Sequence, residues 1–149
     1  LLEALRAHPI EVARARDLVI VLRDADMVRD LKPDFHALAK LPDVFAVCCT
    51  APGTGRDADV DFVSRFFAPA EGVPEDPVTG SAAGCLASYL VHEGVLLAAP
   101  TAEVRIEQGV EVGRPGVVDA FIDADGPRIK RVRVGGRAVH VGDGELRWQ

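Results

Sequence analysis

An uncharged stretch at residues 82–91, AAGCLASYLV, constrains the fold of this chain more than any other feature of its sequence. Together with its flanks it predicts a helix over residues 79–93, ended by Gly94 at the position of a C-terminal cap glycine. Because the helix is apolar on nearly every side, we expect it to be buried on all sides. Its small residues let other elements approach closely. We therefore predict a sheet that curls around this helix.

The remainder of the chain is predicted to be mostly strand. Helices are expected over residues 1–7 and 24–31 and from Pro33 onward. Residues 10–13 and 17–22 are expected to form a short hairpin. Strands are expected at 44–50, 59–68, 102–108, 110–112, 116–124, 129–134 and 138–141, with a tight hairpin turn at Gly135 and Gly136. The predicted fold class is α+β, with a mostly antiparallel, barrel-like sheet wrapped around a central buried helix in one domain of 149 residues.

Charge and composition exclude several classes of function. The net charge is −6, which argues against nucleic acid as a partner because such proteins present a basic face. No apolar run approaches the roughly 20 residues of a membrane-spanning helix, so no membrane contact is expected. The cysteines number three and two are adjacent, which fits a reduced, cytoplasmic protein rather than a disulfide framework. We interpret Cys48, Cys49 and Cys85 as packing residues.

Metal and phosphate sites are not predicted. The four histidines, His8, His36, His92 and His140, show no metal-ligand spacing. The glycine-containing stretch at residues 53–55 is not followed by the lysine and the helix that a phosphate-binding loop requires. We therefore expect no metal.

The start of the charge-free helix allows two interpretations. Its first backbone N–H groups have no partner within the helix, and the side chains of Asp76 and Thr79 stand where caps belong. In the first interpretation these two side chains cap the helix. In the second, the N–H groups of Gly80, Ser81 and Ala82 hold the carboxylate of a substrate at the positive end of the helix dipole. Asp76 would then carry the proton or orient the group that does.

Four motifs together resemble one family. They are GVPEDPVTGSA at residues 72–82, DFVSRFFAP at 61–69, EQG with GRP at 107–109 and 113–115, and VGGRAV at 134–139. The chain is similar to the C-terminal half of the PhzF (phenazine-biosynthesis) family. The resemblance implies one half of a diaminopimelate-epimerase-like fold, with the active site between two halves. It also implies an isomerase that transfers a proton on a small carboxylic acid without a cofactor. Asp76 would be catalytic, and Thr79, Gly80 and Ser81 would bind the substrate.

The sequence departs from the family pattern in ways that affect function. The family's main glutamate acid–base and a histidine of the site belong to an N-terminal half that these residues do not contain. Ala83 replaces a histidine found in many members, and Gly116 replaces the usual serine after GRP. We therefore expect the isolated chain to be inactive. The full-length protein is expected to be a homodimer. The alternative is a binding or assembly module that pairs with itself or with a separate N-terminal half.

Two further expectations concern surfaces. Gln108, Gly109 and Arg114 could reach the active-site cleft from the rim of the sheet, or they could form an ordinary turn with a surface arginine. The sequence leaves both possibilities open. Because half of a two-part fold exposes an apolar cleft face, we also expect the chain to self-associate.

Overall fold

The computed structural model describes residues 1–53, 59–98, 100–126 and 128–148. Within these residues it contains four α-helices, eight strands and one 3₁₀ helix at Pro69–Glu71. The helices are α1 (Leu2–Leu5), α2 (Ala25–Arg29), α3 (Phe35–Leu38) and α4 (Gly80–His92). The strands are β1 (Glu11–Arg14), β2 (Leu18–Val21), β3 (Val47–Pro52), β4 (Phe62–Ala68), β5 (Val73–Asp76), β6 (Thr101–Gln108), β7 (Gly116–Asp125) and β8 (Arg128–Gly136).

All eight strands form one mixed sheet in the order β1-β2-β3-β4-β6-β7-β8, and β5 pairs with β4. The fold is α+β, and the sheet curls into a half-barrel. The predicted antiparallel pairing is found for five strand pairs, whereas β2 with β3 and β4 with β6 are parallel. The parallel pairs arise because helices lie between these strands along the chain, and a parallel pair needs such a crossover connection.

Two apolar cores lie on opposite faces of the sheet. Helices α1 to α3 cover one face, where Leu18 and Ile20 of β2 point into the first core. Val19 and Val21 of the same strand point into the second core, against α4. Because β2 is buried on both faces, its sequence is a continuous apolar run rather than an alternating one.

The expected burial of α4 on all sides is wrong. Five of its buried residues, Ala83, Leu86, Ala87, Leu90 and Val91, belong to the second core, and Ala82 packs in a small third cluster with residues of β3 and β4. The opposite side of the helix, which carries Cys85 and Ser88, is only partly buried and lines a groove. The reason is that the sheet does not close around the helix. Its two end strands, β1 and β8, stand on either side of that groove.

Several predicted elements differ from the structure. Residues 110–112 form a turn instead of a strand, and residues 73–76 form the short strand β5, which was not predicted. The hairpin at Gly135 and Gly136 is absent because both glycines stay paired with β7 as part of β8. Residues 138–141 are therefore not a strand, and residues 137–148 are exposed without regular structure. Most of the 53–55 stretch lies outside the described residues.

No helix in the described part of the chain is both long enough and apolar enough to span a membrane.

Candidate functional site

The turn between β5 and α4 is held by a network of three side chains. The Thr79 hydroxyl donates a hydrogen bond to Oδ2 of Asp76 at 2.5 Å. The Gln108 amide, at the end of β6, donates to the Asp76 carbonyl oxygen at 2.6 Å and to Oγ1 of Thr79 at 3.0 Å. Its oxygen accepts from the Thr79 backbone N–H at 3.2 Å. Gln108 is buried, so this network fixes the Asp76 carboxylate relative to the first turn of α4.

The capping interpretation of Asp76 and Thr79 is wrong for their side chains. Thr79 occupies the N-cap position with an extended backbone, but its side chain makes no capping hydrogen bond. Its hydroxyl donates to Asp76 instead. No described side chain accepts a hydrogen bond from the N–H groups of Gly80 or Ser81. The start of α4 is thus formed without the caps that the sequence suggested.

Asp76 lines an open cavity of about 650 Å³ together with Pro77, Val78, Arg114 and Pro115. The turn that carries Arg114 is closed by a hydrogen bond from its N–H to the Gly109 carbonyl oxygen, at 2.9 Å. Gly109 itself packs against the loop that follows Asp76, because a Cβ atom there would lie 2.4 Å from the Pro77 carbonyl oxygen. Arg114 therefore belongs to a turn and also lines the cavity that Asp76 lines. The cavity thus has an acidic and a basic side chain in its lining.

Ser81 lines a different cavity from Asp76. It stands at one end of the groove along α4, where its Oγ accepts a hydrogen bond from Nη2 of Arg16 at 3.0 Å. Arg16 also donates a hydrogen bond to each carboxylate oxygen of Asp17, at 3.0 and 2.8 Å. The hydrogen bond to Asp17 raises the pKa of Arg16. The structure thus brings Asp76 together with Thr79, Gln108 and Arg114, and Ser81 together with Arg16.

A buried ion pair supports the strand that carries Asp76. Arg65 of β4 donates to both carboxylate oxygens of Glu75, at 2.9 and 2.8 Å. Its Nη1 also donates to three backbone carbonyl oxygens at the end of α2, the shortest bond being 2.9 Å to Leu31. Burial lowers the pKa of Arg65, but Glu75 outweighs this effect and the pKa lies above its ordinary value. Glu75 is thereby fixed directly before Asp76.

The sequence analysis missed Arg16, Asp17 and Arg65 as residues that organise these sites. For Arg65 a signal was present, because an arginine interrupts the apolar strand sequence FVSRFF. A charge at that position needs a buried partner. No comparable signal marks Arg16, which lies among scattered exposed arginines.

The three thiols differ in their surroundings. Cys48 and Cys49 are buried in the sheet, as expected for packing residues. Burial raises the pKa of Cys48 to about 12 and that of Cys49 well above its ordinary value. Cys85 is only partly buried and lines the groove, so its interpretation as a fully packed residue is wrong, although burial still raises its pKa. The described residues contain no cluster of three or more potential metal ligands among His, Cys, Asp and Glu.

Comparison with known proteins gives consistent matches. The family model for phenazine biosynthesis-like proteins (PhzC-PhzF) matches residues 1–144. An uncharacterized isomerase from Deinococcus radiodurans is 41% identical over 123 residues, covering 79% of this chain and 38% of that protein. The trans-2,3-dihydro-3-hydroxyanthranilate isomerase of Pseudomonas fluorescens is 38% identical over 140 residues, covering 93% of this chain and 48% of that enzyme.

A solved structure shows the same fold. The PhzF-family phenazine biosynthesis protein from Enterococcus faecalis superimposes with a TM-score of 0.67 at 30% sequence identity. The match covers 93% of this chain and 50% of that one. The chain thus spans about half the length of the curated relatives it matches.

Proposed function

Because the chain belongs to the phenazine biosynthesis-like (PhzC-PhzF) family, we propose that it forms one wall of the active site of an isomerase. The proposed reaction is a proton transfer on a small carboxylic acid, catalysed by acid–base groups alone. The relatives reported above are named isomerases, which supports the reaction class. The observation that carries the proposal is the Asp76 carboxylate, which accepts a hydrogen bond from Thr79 at an open cavity beside the start of α4. Gln108 binds the backbone carbonyl oxygen of the same residue.

Each proposed role follows from a local contact. Thr79 donates to Oδ2 of Asp76, and this contact leaves Oδ1 to accept or deliver a proton. The N–H groups of Gly80 and Ser81 lie at the positive end of α4, which favours a carboxylate. Arg114, on the same cavity as Asp76, adds a positive charge that would hold the substrate there.

The second acid–base group is proposed to come from the half of the family's length that this chain does not match. The resemblance to the family implies that its main acid–base, a glutamate, lies in that half. The proposed partner of this chain is therefore an N-terminal half that makes up the rest of the relatives' length. The proposed assembly of the whole protein is a homodimer. On this proposal the 149-residue chain alone is inactive.

The test measures proton exchange in the protein encoded by the whole reading frame that contains this chain. The probe is trans-2,3-dihydro-3-hydroxyanthranilate, the substrate named for the Pseudomonas relative, followed in deuterated water by NMR. We expect Asp76→Asn to lower the exchange rate by about two orders of magnitude or more. Its folding should change little, because the Asn oxygen can still accept the hydrogen bond from Thr79.

Asp61→Asn is the matched control. Asp61 also accepts a hydrogen bond, from the Arg105 backbone N–H at 2.8 Å, but it does not line the Asp76 cavity. It should leave the exchange rate unchanged. An Asp76→Asn protein that unfolds while keeping its rate per folded molecule would show that Asp76 is structural. Exchange catalysed by the 149-residue chain alone would remove the need for a second half.

The alternative function, an assembly module without catalysis, is favoured by one observation. Large apolar side chains are exposed after β8, among them Val139, Val141, Leu146 and Trp148. A module of this kind would bind the separate N-terminal half, or itself, without any proton exchange in the mixture. The same NMR measurement on the assembled halves therefore distinguishes the two functions.

A further inference from the structure

Arg65 is a buried charge with a partner on each of the two segments that line the Asp76 cavity. The lining comes from the loop after β5 and from the turn after β6, with the residues Asp76, Pro77, Val78, Arg114 and Pro115. The Arg65 side chain is 7% exposed and is not part of this lining. A buried guanidinium is costly unless acidic and carbonyl groups surround it. The partners of Arg65 therefore show which parts of the chain it holds in place.

The first partner is Glu75, which directly precedes Asp76 on β5. Nε and Nη2 of Arg65 donate to the two carboxylate oxygens of Glu75, at 2.9 and 2.8 Å. Two parallel hydrogen bonds of this kind fix the direction of the carboxylate as well as its distance. The next residue along each strand is paired too, because Phe66 of β4 stands opposite Asp76. Arg65 thereby fixes the backbone from which the Asp76 side chain extends.

The second partner is Glu111, in the turn that follows β6. Oε2 of Glu111 lies 4.0 Å from Nε of Arg65, and the Glu111 side chain is 19% exposed. This distance is longer than a hydrogen bond, so the contact acts through charge. The same turn is closed by the hydrogen bond from the Arg114 N–H to the Gly109 carbonyl oxygen. An attraction at Glu111 therefore acts on the segment that brings Arg114 to the cavity.

Arg65 is itself fixed by groups outside the cavity. Nη1 donates to the carbonyl oxygens of Val28, Arg29 and Leu31, at 3.4, 3.3 and 2.9 Å. The central carbon of the guanidinium lies 5.1 Å from the centroid of the Phe67 ring, which is a cation–π contact. A lysine cannot replace these contacts, because its single nitrogen does not present donors in a planar fork.

We propose that Arg65 is a positioning residue for the Asp76 cavity. Through Glu75 and Glu111 it holds the two lining segments at a fixed separation. The inference rests on the proposed function for the roles of Asp76 and Arg114, whereas the link between the two segments requires no turnover. The two partners have separate effects. Glu75 governs proton transfer by Asp76, and Glu111 governs how tightly Arg114 holds the substrate.

The first measurement is amide hydrogen exchange, followed by mass spectrometry, in the protein encoded by the whole reading frame. Arg65→Lys keeps the charge but loses the paired hydrogen bonds to Glu75. We expect exchange at residues 73–79 and at residues 109–115 to become about tenfold faster, because both segments lose a fixed contact. Exchange within the strands β6 and β7 should stay the same.

Arg105→Lys is the matched control. Arg105 lies on β6 and pairs with Asp119 of β7, with Nε 3.0 Å from Oδ1. Neither residue lines the Asp76 cavity. The same change of arginine to lysine therefore weakens an ion pair of the sheet that has no partner in the two lining segments. Amide exchange in both segments, kcat and KM should keep their wild-type values.

The second measurement is the rate of proton exchange on trans-2,3-dihydro-3-hydroxyanthranilate by the same protein. Glu75→Gln should lower kcat by about tenfold and leave KM within about twofold. Glu111→Gln should raise KM several-fold with little change in kcat, because it loosens the turn that carries Arg114. Glu111 makes no buried hydrogen bond to Arg65, so this variant tests the proposal even if the Glu75 variant folds poorly. A purely structural role would lower the amount of folded protein without separating kcat from KM.

Three outcomes would overturn the proposal. In the first, Arg65→Lys speeds amide exchange equally throughout the sheet, which would make Arg65 a general stabiliser. In the second, only one of the two segments responds, so Arg65 does not join them. In the third, the Glu75 and Glu111 variants leave kcat and KM unchanged or alter them in the same way.

The two proposals fail separately. A wild-type protein without proton exchange would reject the isomerase, and amide exchange would still decide whether Arg65 joins the two segments. Proton exchange that depends on Asp76 but is unaffected by Arg65→Lys would reject only the positioning role.

Discussion

Gln108 is the residue that turns two sequence neighbours into a defined site. Asp76 and Thr79 lie three residues apart, so the sequence already places both near the start of the helix. Gln108 lies 29 residues beyond Thr79 and binds its N–H group, its hydroxyl and the Asp76 carbonyl oxygen. The orientation of the catalytic candidate thus depends on a side chain from another strand.

Replacement of Gln108 by leucine should destabilise the fold. The Thr79 N–H and the Asp76 carbonyl would lose their partner in a buried place, so we expect the free energy of unfolding to fall by about 2–4 kcal/mol. Urea denaturation measures the change. Ser88→Ala is the control, because it removes only a half-exposed hydrogen bond within α4 and should cost about 0.5 kcal/mol. Equal stability of the two variants would mean that Gln108 is not needed to hold the turn.

At the scale of the elements, the turn after β6 sets the distance between the two sides of the Asp76 cavity. Gly109 has a φ of 84° and sits against the backbone of both Pro77 and Arg114. The turn therefore brings β6 and the loop before α4 into direct backbone contact. Only a residue without a side chain fits between them.

Gly109→Ala should consequently be far more harmful than Gly113→Ala. Both positions have positive φ, which costs about 1–2 kcal/mol for a residue with a Cβ. At Gly113 the added Cβ meets open space, whereas at Gly109 it would lie 2.4 Å from two backbone oxygens. We expect Gly109→Ala to show the larger loss of thermal stability, measured by circular dichroism. The same loss in both variants would mean that the turn can move away from Pro77.

Local information explains which elements could be predicted. The helix α4 was placed correctly within a residue or so, because its charge-free run and the glycine after it are adjacent in sequence. The family resemblance also came from contiguous motifs, and the family model confirms it. The parallel pairing of β4 with β6 and the open side of α4 could not be predicted, since both depend on contacts between distant segments. The contact of Arg16 with Ser81 was missed for the same reason. For Arg114 the sequence left open whether it reaches a cleft or belongs only to a turn, and the structure shows that it does both.

At the scale of the whole molecule, the exposed segment after β8 is the least expected feature. The predicted hairpin would have returned residues 138–141 to the sheet. Instead, Val141 and Trp148 are 97% and 89% exposed. Apolar side chains of this size on a surface favour association with another protein surface.

The chain should therefore self-associate through residues 137–148. Light scattering coupled to size-exclusion chromatography should show a mass that rises with concentration. Trp148 is the only tryptophan, so its fluorescence maximum should shift to shorter wavelength over the same range. A chain that ends at Gly136 is the control and should remain closer to a monomer. A 149-residue chain that is monomeric at every concentration would contradict this expectation.

The pairing of β4 with β6 also has a consequence for how the protein folds. It joins residues as far apart in sequence as Phe62 and Ile106, and the cost of closing so long a loop must be met before the contact contributes any stability. The hairpin of β6 and β7 and the helix α4 involve neighbouring residues and are expected to form sooner. Gln108 reaches Asp76 only when β6 has docked beside β4. The Asp76 site is therefore expected to form late in folding, together with the docking of β6 beside β4.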